Sequence, residues 1–314
     1  MPEVLFETPD NPIPAHAVAG MLAMADGKRL RYARFAAEGR PLQGTVVIVP
    51  GRNECIEKYF ETVEDLSARG FGTAIFDLRG QGGSDRLLAD PDRGYVDDFQ
   101  HYVDDIEPFF QQVVLPDCRG PYFVLGHSTG ALVALLATPQ LYNRVQRMVL
   151  VSPLLGLAGR SFATRNAFCI AGFLNALGFG SLYMGGGPPP AEPTPFRRNV
   201  LTSDPRRYLR NTALVARYPD LGIGGPTVAW IRSVGHAIER VNDPDFIARL
   251  HVPMLLIAAG EDEVVDTRAT ERYARRLRTG TLLTVDGARH ELLQEADIYR
   301  EQVLAAFDAF IPGN

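Results

Sequence analysis

The sequence lacks the features that mark several classes of protein. Its three cysteines, Cys55, Cys118 and Cys169, are far apart and have no paired spacing. This predicts neither a disulfide framework nor a zinc site, and favours free thiols in a reducing compartment. Lysine and arginine number 32 against 37 aspartates and glutamates, which gives a net charge of −5. With no recognition motif beside this charge, nucleic acid is not expected as a partner.

The sequence also does not show the pattern expected of a segment for export or membrane insertion. The N-terminus has no basic stretch followed by an apolar one, so it does not resemble a secretory signal. The apolar stretch 168–184 is shorter than a bilayer-spanning helix and is broken by Asn175 and several glycines. We therefore expect a cytoplasmic protein, with peripheral contact to the inner face of a membrane as a further expectation.

The chain contains a repeated alternation of strand-like and helix-like segments. Four prolines in residues 2–14 predict an extended arm, and Asp26-Gly27 between two β-prone runs predicts a hairpin. Apolar runs predict strands at 45–49, 73–76, from 122, 147–151, 254–258 and 281–285. Helical spacing or caps predict helices at 57–69, 98–114, 267–278 and 297–310. The expected fold class is α/β, with a mostly parallel central sheet flanked by helices.

This alternation stops between Pro153 and about residue 238, where glycine and proline are frequent. We expect an inserted, mainly helical lid at residues 154–237, with the α/β core formed by residues 1–153 and 238–314. Within the lid, four apolar residues share one helical face: Ile170, Phe173, Leu174 and Leu177. This face is expected to cover the mouth of a site, to pack the lid's own small core, or to do both.

The segment Gly126-His127-Ser128-Thr129-Gly130 fits the G-x-S-x-G pattern of a nucleophile elbow. In that motif a sharp turn from strand to helix exposes the serine, and close neighbouring chains require the glycines. An alternative is a glycine-rich surface turn whose serine has no catalytic role. The turn lies between an apolar strand and an apolar helix, which favours Ser128 as a nucleophile.

A nucleophilic serine needs a base, and the base needs an orienting acid. In the elbow fold the chain order is serine, acid, histidine. His290 follows the last predicted strand and can reach the site, whereas His251 precedes a strand at the opposite edge of the sheet. The acid is expected in the loop that follows the next-to-last predicted strand, and in this loop we choose Asp262. Asp266 is kept in reserve, because it is well placed to cap the following helix.

Two backbone N–H groups are expected to form the oxyanion hole, one from Thr129 and one from Arg52. The side chain of Arg52 is expected to be idle or to contact an anionic head group. The acidic loop 260–266 lacks the spacing of a calcium loop, so a bound cation is not expected there.

On these motifs the chain resembles the α/β-hydrolase superfamily, specifically its lysophospholipase L2-like and monoacylglycerol lipase-like serine hydrolases. The matching segments cover nearly the whole chain: 77–84, 126–130, 199–208, 219–230, 260–262 and 290–295. The resemblance implies an ester hydrolase that uses no cofactor and no metal. Two departures stand out, because this family usually has histidine where Pro50 and Gln81 stand.

The leading hypothesis is a serine ester hydrolase that acts on a monoacyl lipid, either a lysophospholipid or a monoacylglycerol. The alternatives are a carboxylesterase for small esters and a non-catalytic binding protein on the same scaffold.

A group of lid arginines is expected either to hold a phosphate group or an anionic membrane surface, or to form a solvated face: Arg197, Arg198, Arg206, Arg207 and Arg210. The sequence does not indicate the oligomeric state.

Overall fold

Eight strands form one sheet in the computed structural model, which describes residues 4–159, 161–190 and 192–311, without the side chains of 161–165. The strands are β1 (Ala17–Ala23), β2 (Arg29–Phe35), β3 (Gly44–Val49), β4 (Phe71–Phe76), β5 (Tyr122–His127), β6 (Val145–Val151), β7 (Met254–Ala259) and β8 (Gly280–Val285). Their order across the sheet is β1-β2-β4-β3-β5-β6-β7-β8. β2 is antiparallel to both β1 and β4, and the remaining neighbours are parallel. The predicted strands and the hairpin at Asp26-Gly27 are confirmed.

The central strands are apolar because helices cover both faces of the sheet. Along β3, Val47 and Val49 belong to one hydrophobic cluster, whereas Val46 and Ile48 belong to another. Successive side chains of a strand point to opposite faces, so a strand between two clusters must be apolar throughout. The fold class is therefore α/β with a mostly parallel, two-sided sheet, as the sequence predicted.

Ten α-helical segments lie in the described residues. They are α1 (Phe60–Ala68), α2 (Gln100–Phe109), α3 (Leu115–Asp117), α4 (Thr129–Leu141), α5 (Ser161–Ala176), α6 (Pro205–Arg217), α7 (Val228–Asn242), α8 (Pro244–Ala248), α9 (Thr267–Ala274) and α10 (Asp297–Phe310). The predicted helix at 98–114 passes into a π-helix at Phe110–Val114, shortly after Pro108, whose missing N–H removes one helical hydrogen bond. The prediction of a helix to residue 278 was too long, because the chain after α9 continues in tighter turns.

The predicted N-terminal arm contains no helix or ladder strand in its described part, residues 4–14. It has one isolated bridge between Thr8 and Asn11, and residues 2 and 3 lie outside the described residues. Of the helices in the described ranges, none combines the length and the apolar character needed to cross a membrane.

Four helices, α5 to α8, lie between β6 and β7, where the sequence predicted an inserted helical segment. α5 packs on α7, and α7 packs on α4 of the sheet layer. The predicted end of the lid at residue 237 falls inside α7, which continues to Asn242. The division into core and lid stays a prediction. Ile170, Phe173 and Leu177 are more than half exposed, so these three do not pack an internal lid core.

A buried ion cluster fixes the loop that follows β4. Arg31 of β2 donates from Nε to Asp77 at 2.7 Å and from Nη1 to Glu57 at 2.6 Å. All three side chains are essentially inaccessible to solvent. Asp77 also accepts hydrogen bonds from the backbone N–H groups of Ile56 and Gly83. The cluster therefore ties the hairpin, the 3₁₀ turn before α1 and the glycine-rich loop 77–84 together.

We expect Arg31→Met to lower the free energy of unfolding by about 3–5 kcal/mol, because it leaves two buried carboxylates without their cation. Arg29→Met is the matched control: Arg29 lies two residues earlier on the same strand, is exposed, and pairs with Asp85 at 3.1 Å. It should cause a much smaller loss, since exposed pairs contribute little. Urea denaturation followed by circular dichroism measures both. Equal losses in the free energy of unfolding would show that the buried cluster stabilises the fold no more than the exposed pair does.

Candidate active site

Ser128 lies on a strained turn between β5 and α4. Its φ of 51° and ψ of −114° place a non-glycine residue in a region that L-residues seldom adopt. A Cβ on Gly130 would lie 2.0 Å from the carbonyl oxygen of Val49, and a Cβ on Gly126 would lie 2.8 Å from Cα of Ala131. The flanking glycines are therefore required by close backbone approach, as the motif predicted.

The structure brings Ser128, His290 and Asp262 together at the carboxyl edge of the parallel strands. Nε2 of His290 lies 3.0 Å from Oγ of Ser128, and Nδ1 lies 2.8 Å from Oδ2 of Asp262. A carboxylate can only accept, so Nδ1 carries the proton and Nε2 can accept the proton of the serine hydroxyl. All three side chains are buried.

Asp262 is oriented by its own loop. Its Oδ1 accepts from the backbone N–H groups of Val264 and Val265 at 2.8 and 2.9 Å, which leaves Oδ2 for the histidine. The reserve residue, Asp266, has a different place. It caps α9 by accepting from the N–H of Arg268 at 3.0 Å. Of the two aspartates, Asp262 is the one that meets His290.

The predicted oxyanion-hole residues lie on two different elements. Thr129 is the first residue of α4, so its N–H has no partner within the helix. Arg52 lies in the loop after β3, and no described residue accepts a hydrogen bond from its backbone N–H. Both groups are thus available donors, and their role in an oxyanion hole stays a prediction.

Gln81 holds this loop in shape. Its Nε2 donates to the carbonyl oxygens of Gly51 and Glu54 at 2.7 and 3.1 Å, and its Oε1 accepts from the N–H of Asn53 at 3.2 Å. The glutamine thus contacts the backbone on both sides of Arg52. The departure from histidine at position 81 therefore supplies a donor and an acceptor, both of which the loop uses.

A second layer of polar residues surrounds the carbonyl oxygen of His290. Oγ of Ser152 donates to this oxygen at 2.8 Å, and Nε2 of His127 lies 3.3 Å from it. Nδ1 of His127 contacts the carboxylate of Glu54 at 3.1 Å. Burial alone would lower the pKa of His127, but the Glu54 carboxylate outweighs it and the pKa is raised. These contacts fix the backbone that carries the imidazole.

Lys58 supplies the compensating charge for this layer. Its Nζ lies 2.8 Å from Glu54 and 2.6 Å from Glu291. Burial would raise the pKa of Glu54, yet Lys58 and His127 hold it well below its usual range. Sequence reasoning missed this layer. The only sequence signals were that His127 adjoins Ser128 and Glu291 adjoins His290.

The lid arginines divide into two groups in the structure. Arg207 and Arg210 donate to the carboxylate of Glu61 on α1 at 2.6 and 2.7 Å, so they tie α6 to the sheet layer. Arg197, Arg198 and Arg206 are exposed. For Arg207 and Arg210, both expected alternatives, an anion-holding cluster and a solvated face, are therefore wrong. No group of three or more metal-binding side chains occurs within the described part of the chain.

Comparison with known proteins shows the family to which this chain belongs. The family model described as "Serine aminopeptidase, S33" (Hydrolase_4) matches residues 40–297. The chain belongs to the Hydrolase_4 family. Among its relatives, the Escherichia coli (strain K12) lysophospholipase L2 is 36% identical over 304 residues, covering 90% of this chain and 83% of the relative. The human monoglyceride lipase is 26% identical, covering 87% of this chain and 84% of the relative.

Solved structures of similar fold include a soluble variant of monoglyceride lipase from Saccharomyces cerevisiae in complex with a substrate analog. It has a TM-score of 0.73 and 20% identity, and the match covers 94% of this chain and 96% of that one. The resemblance to the α/β-hydrolase superfamily and its lysophospholipase L2-like and monoglyceride lipase-like members is thus confirmed. The prediction that this Hydrolase_4 chain is a carboxylic ester hydrolase is also confirmed by these relatives.

Proposed function

We propose that the chain cleaves the acyl ester of a monoacyl lipid, a lysophospholipid or a monoacylglycerol, with Ser128 as nucleophile. The observation that carries this proposal is the continuous contact from Asp262 through His290 to Ser128, at 2.8 and 3.0 Å. A serine hydroxyl in contact with a buried, oriented imidazole is what covalent acyl transfer requires.

In the proposed mechanism, Nε2 of His290 takes the hydroxyl proton of Ser128 as Oγ bonds to the acyl carbonyl carbon. The resulting oxyanion accepts from the N–H groups of Arg52 and Thr129, and the N-terminal end of α4 adds a favourable dipole. Asp262 stabilises the imidazolium. That imidazolium then protonates the departing glycerol oxygen, leaving an acyl ester on Ser128. Water, deprotonated by His290, attacks this ester and releases the fatty acid and the serine.

The substrate class is supported by the relatives rather than by the site geometry. Lysophospholipase L2 and monoglyceride lipase both carry names for single-chain lipid esters, and each is matched over more than four-fifths of its length. The family description names a peptidase instead. We give the full-length relatives more weight, because the family model leaves out residues 1–39 and 298–314.

The test compares turnover of a lysophospholipid, a monoacylglycerol, a short-chain ester and an aminoacyl amide by the purified protein. The proposal expects kcat/KM for one of the two long-chain lipids to exceed the values for the other compounds. A highest value for the short-chain ester would favour the carboxylesterase alternative. Well-folded protein that turns over none of the four would favour the binding-protein alternative.

We also propose that the lid contacts a lipid surface. Five apolar residues around the end of α5 are 46 to 67% exposed: Ile170, Phe173, Leu177, Phe179 and Leu182. Clustered exposed apolar side chains of this kind commonly mark a contact site. Location in the cytoplasm stays a prediction.

We expect Phe173→Ser with Phe179→Ser to reduce co-sedimentation with phosphatidylglycerol vesicles, because two of the largest exposed apolar groups are lost. Ile298→Ser is the control, since Ile298 is 70% exposed but lies on α10, outside this group. Equal vesicle binding by the wild type and both variants would contradict contact through the lid.

A further inference from the structure

The side chain of Arg52 is a partly buried cation without a carboxylate partner. No aspartate or glutamate of the described residues lies within 4.0 Å of its guanidinium. Among the described residues, its guanidinium makes one hydrogen bond, from Nη2 to the carbonyl oxygen of Gly224, and lies 5.3 Å from the ring centroid of Trp230. Burial lowers the pKa of Arg52 to about 10, so the group is still a cation at neutral pH.

Other buried arginines of this protein are compensated. Arg31 pairs with Glu57 at 2.6 Å, Arg79 with Asp105 at 2.7 Å, and Arg207 with Glu61 at 2.6 Å. No carboxylate in the described part of the chain pairs with Arg86, which donates instead to five backbone carbonyl oxygens. Burying a polar group without a partner is costly, so the buried Nε of Arg52, which has no partner among the described residues, is available to a ligand.

A second unpartnered group lies close to Arg52. The hydroxyl of Tyr183 and Nε of Arg52 are both buried, and neither has a hydrogen-bond partner among the described residues. Tyr183 pairs with Thr227 in an isolated bridge, and Thr227 belongs to the segment whose Gly224 and Trp230 contact Arg52. Both can donate a hydrogen bond, so together they match an acceptor-rich, negatively charged group.

Segment 219–230, one of the segments in which the chain resembles the lysophospholipase L2-like hydrolases, contacts the side chain of Arg52. It provides both the Gly224 carbonyl and the Trp230 ring. Gly94 lies beside this segment, and a Cβ there would lie 2.2 Å from Nη2 of Arg52, so a side chain at position 94 would displace the guanidinium. Segment 219–230 and the loop around Gly94 thus both contact the guanidinium. The proposed mechanism, by contrast, uses only the backbone of Arg52.

We infer that the Arg52 guanidinium, with the Tyr183 hydroxyl, binds the phosphate group of a lysophospholipid substrate. This inference rests on the proposed function and selects the phosphate-bearing lipid within it. The arginine side chain, from its backbone nitrogen to its guanidinium carbon, contains the same number of bonds as the glycerol segment from an ester carbonyl carbon to the phosphorus. An ester oxygen at the N–H of Arg52 and a phosphate at its guanidinium can therefore be reached by one substrate.

The test compares lysophosphatidylglycerol with a monoacylglycerol of the same short acyl chain, both kept monomeric, and uses the ratio of their kcat/KM values. Arg52→Gln should lower this ratio about tenfold to a hundredfold, because a charge-assisted contact to the phosphate is lost. Tyr183→Phe removes one hydroxyl and should lower the ratio about threefold to tenfold.

Arg93→Gln is the matched control. Arg93 also stacks on Tyr183, at 5.5 Å from the ring centroid, but it is already paired with Asp90 at 2.8 Å. Its replacement should leave the ratio within about twofold of the wild type. An equal change in this control would show that general positive charge, rather than the Arg52 site, attracts the phosphate.

Equal losses for both lipids in Arg52→Gln would also overturn the inference, since the side chain would then only hold the loop to the lid. Failure of the proposed function itself looks different, because the wild type would hydrolyse neither lipid. In that case the site is tested by calorimetric binding of glycerophosphoglycerol, the deacylated compound, to the wild type and to Arg52→Gln. Binding that is lost in Arg52→Gln supports the site, and absence of binding to the wild type overturns it.

Discussion

Ser128→Ala is expected to lower kcat for ester hydrolysis by about a million-fold while the protein stays folded. The alanine removes the hydroxyl oxygen that contacts Nε2 of His290, so no acyl-enzyme can form. Residual turnover above the uncatalysed rate should come from substrate binding and the oxyanion donors alone. Steady-state hydrolysis of the preferred lipid ester measures the effect. Alanine is also expected to retain the turn, although φ of 51° remains unfavourable for it.

Ser67→Ala is a matched control on α1, because the same hydroxyl is removed from a residue outside the site. It should retain wild-type turnover. Circular dichroism of both variants separates loss of chemistry from loss of fold. Ser128→Ala protein that is folded and keeps more than a tenth of the wild-type kcat would remove the serine from the mechanism.

Asp262→Asn is expected to lower kcat by about ten-thousand-fold. The aspartate accepts the Nδ1 proton of His290 at 2.8 Å and so leaves Nε2 unprotonated toward the serine. An asparagine amide that donates to Nδ1 would favour the opposite tautomer and would no longer stabilise the imidazolium. The loss should appear mainly in kcat, because substrate contacts are unchanged.

Asp266→Asn is the same chemical change four residues later. Asparagine is also a good N-cap, so α9 should remain capped and turnover should stay within about twofold of the wild type. The pair of variants thus decides between the chosen acid and the reserve acid. Full activity in Asp262→Asn with a large loss in Asp266→Asn would reverse the assignment.

Much of the fold was predictable because its local signals agree with its global arrangement. Residues 46–49 of β3 and the whole of β7 are apolar, and this pattern requires a sheet covered on both faces. The hairpin was set by Asp26-Gly27, where Gly27 has φ of 81°. Ser128 and His290 were predictable because each follows a strand at the carboxyl edge of the sheet.

Contacts between residues distant in sequence were not predictable. Glu54, Lys58 and Glu291 form one buried charged group, but Lys58 and Glu291 are 233 positions apart. The sequence around Arg207 predicts an exposed lid cation, whereas in the structure this arginine pairs with Glu61, 146 positions away. Tertiary pairing, which leaves no local pattern, determines whether a charged residue is a structural tie or an available ligand.

The central claim is that Ser128 is the activated nucleophile, and mass mapping after reaction with a fluorophosphonate tests it most directly. This reagent bonds covalently to a serine that a neighbouring base has activated. The account predicts one adduct, located on the peptide that contains Ser128, and a much slower reaction in Asp262→Asn. An adduct on another residue, or no adduct on folded wild-type protein, would contradict it.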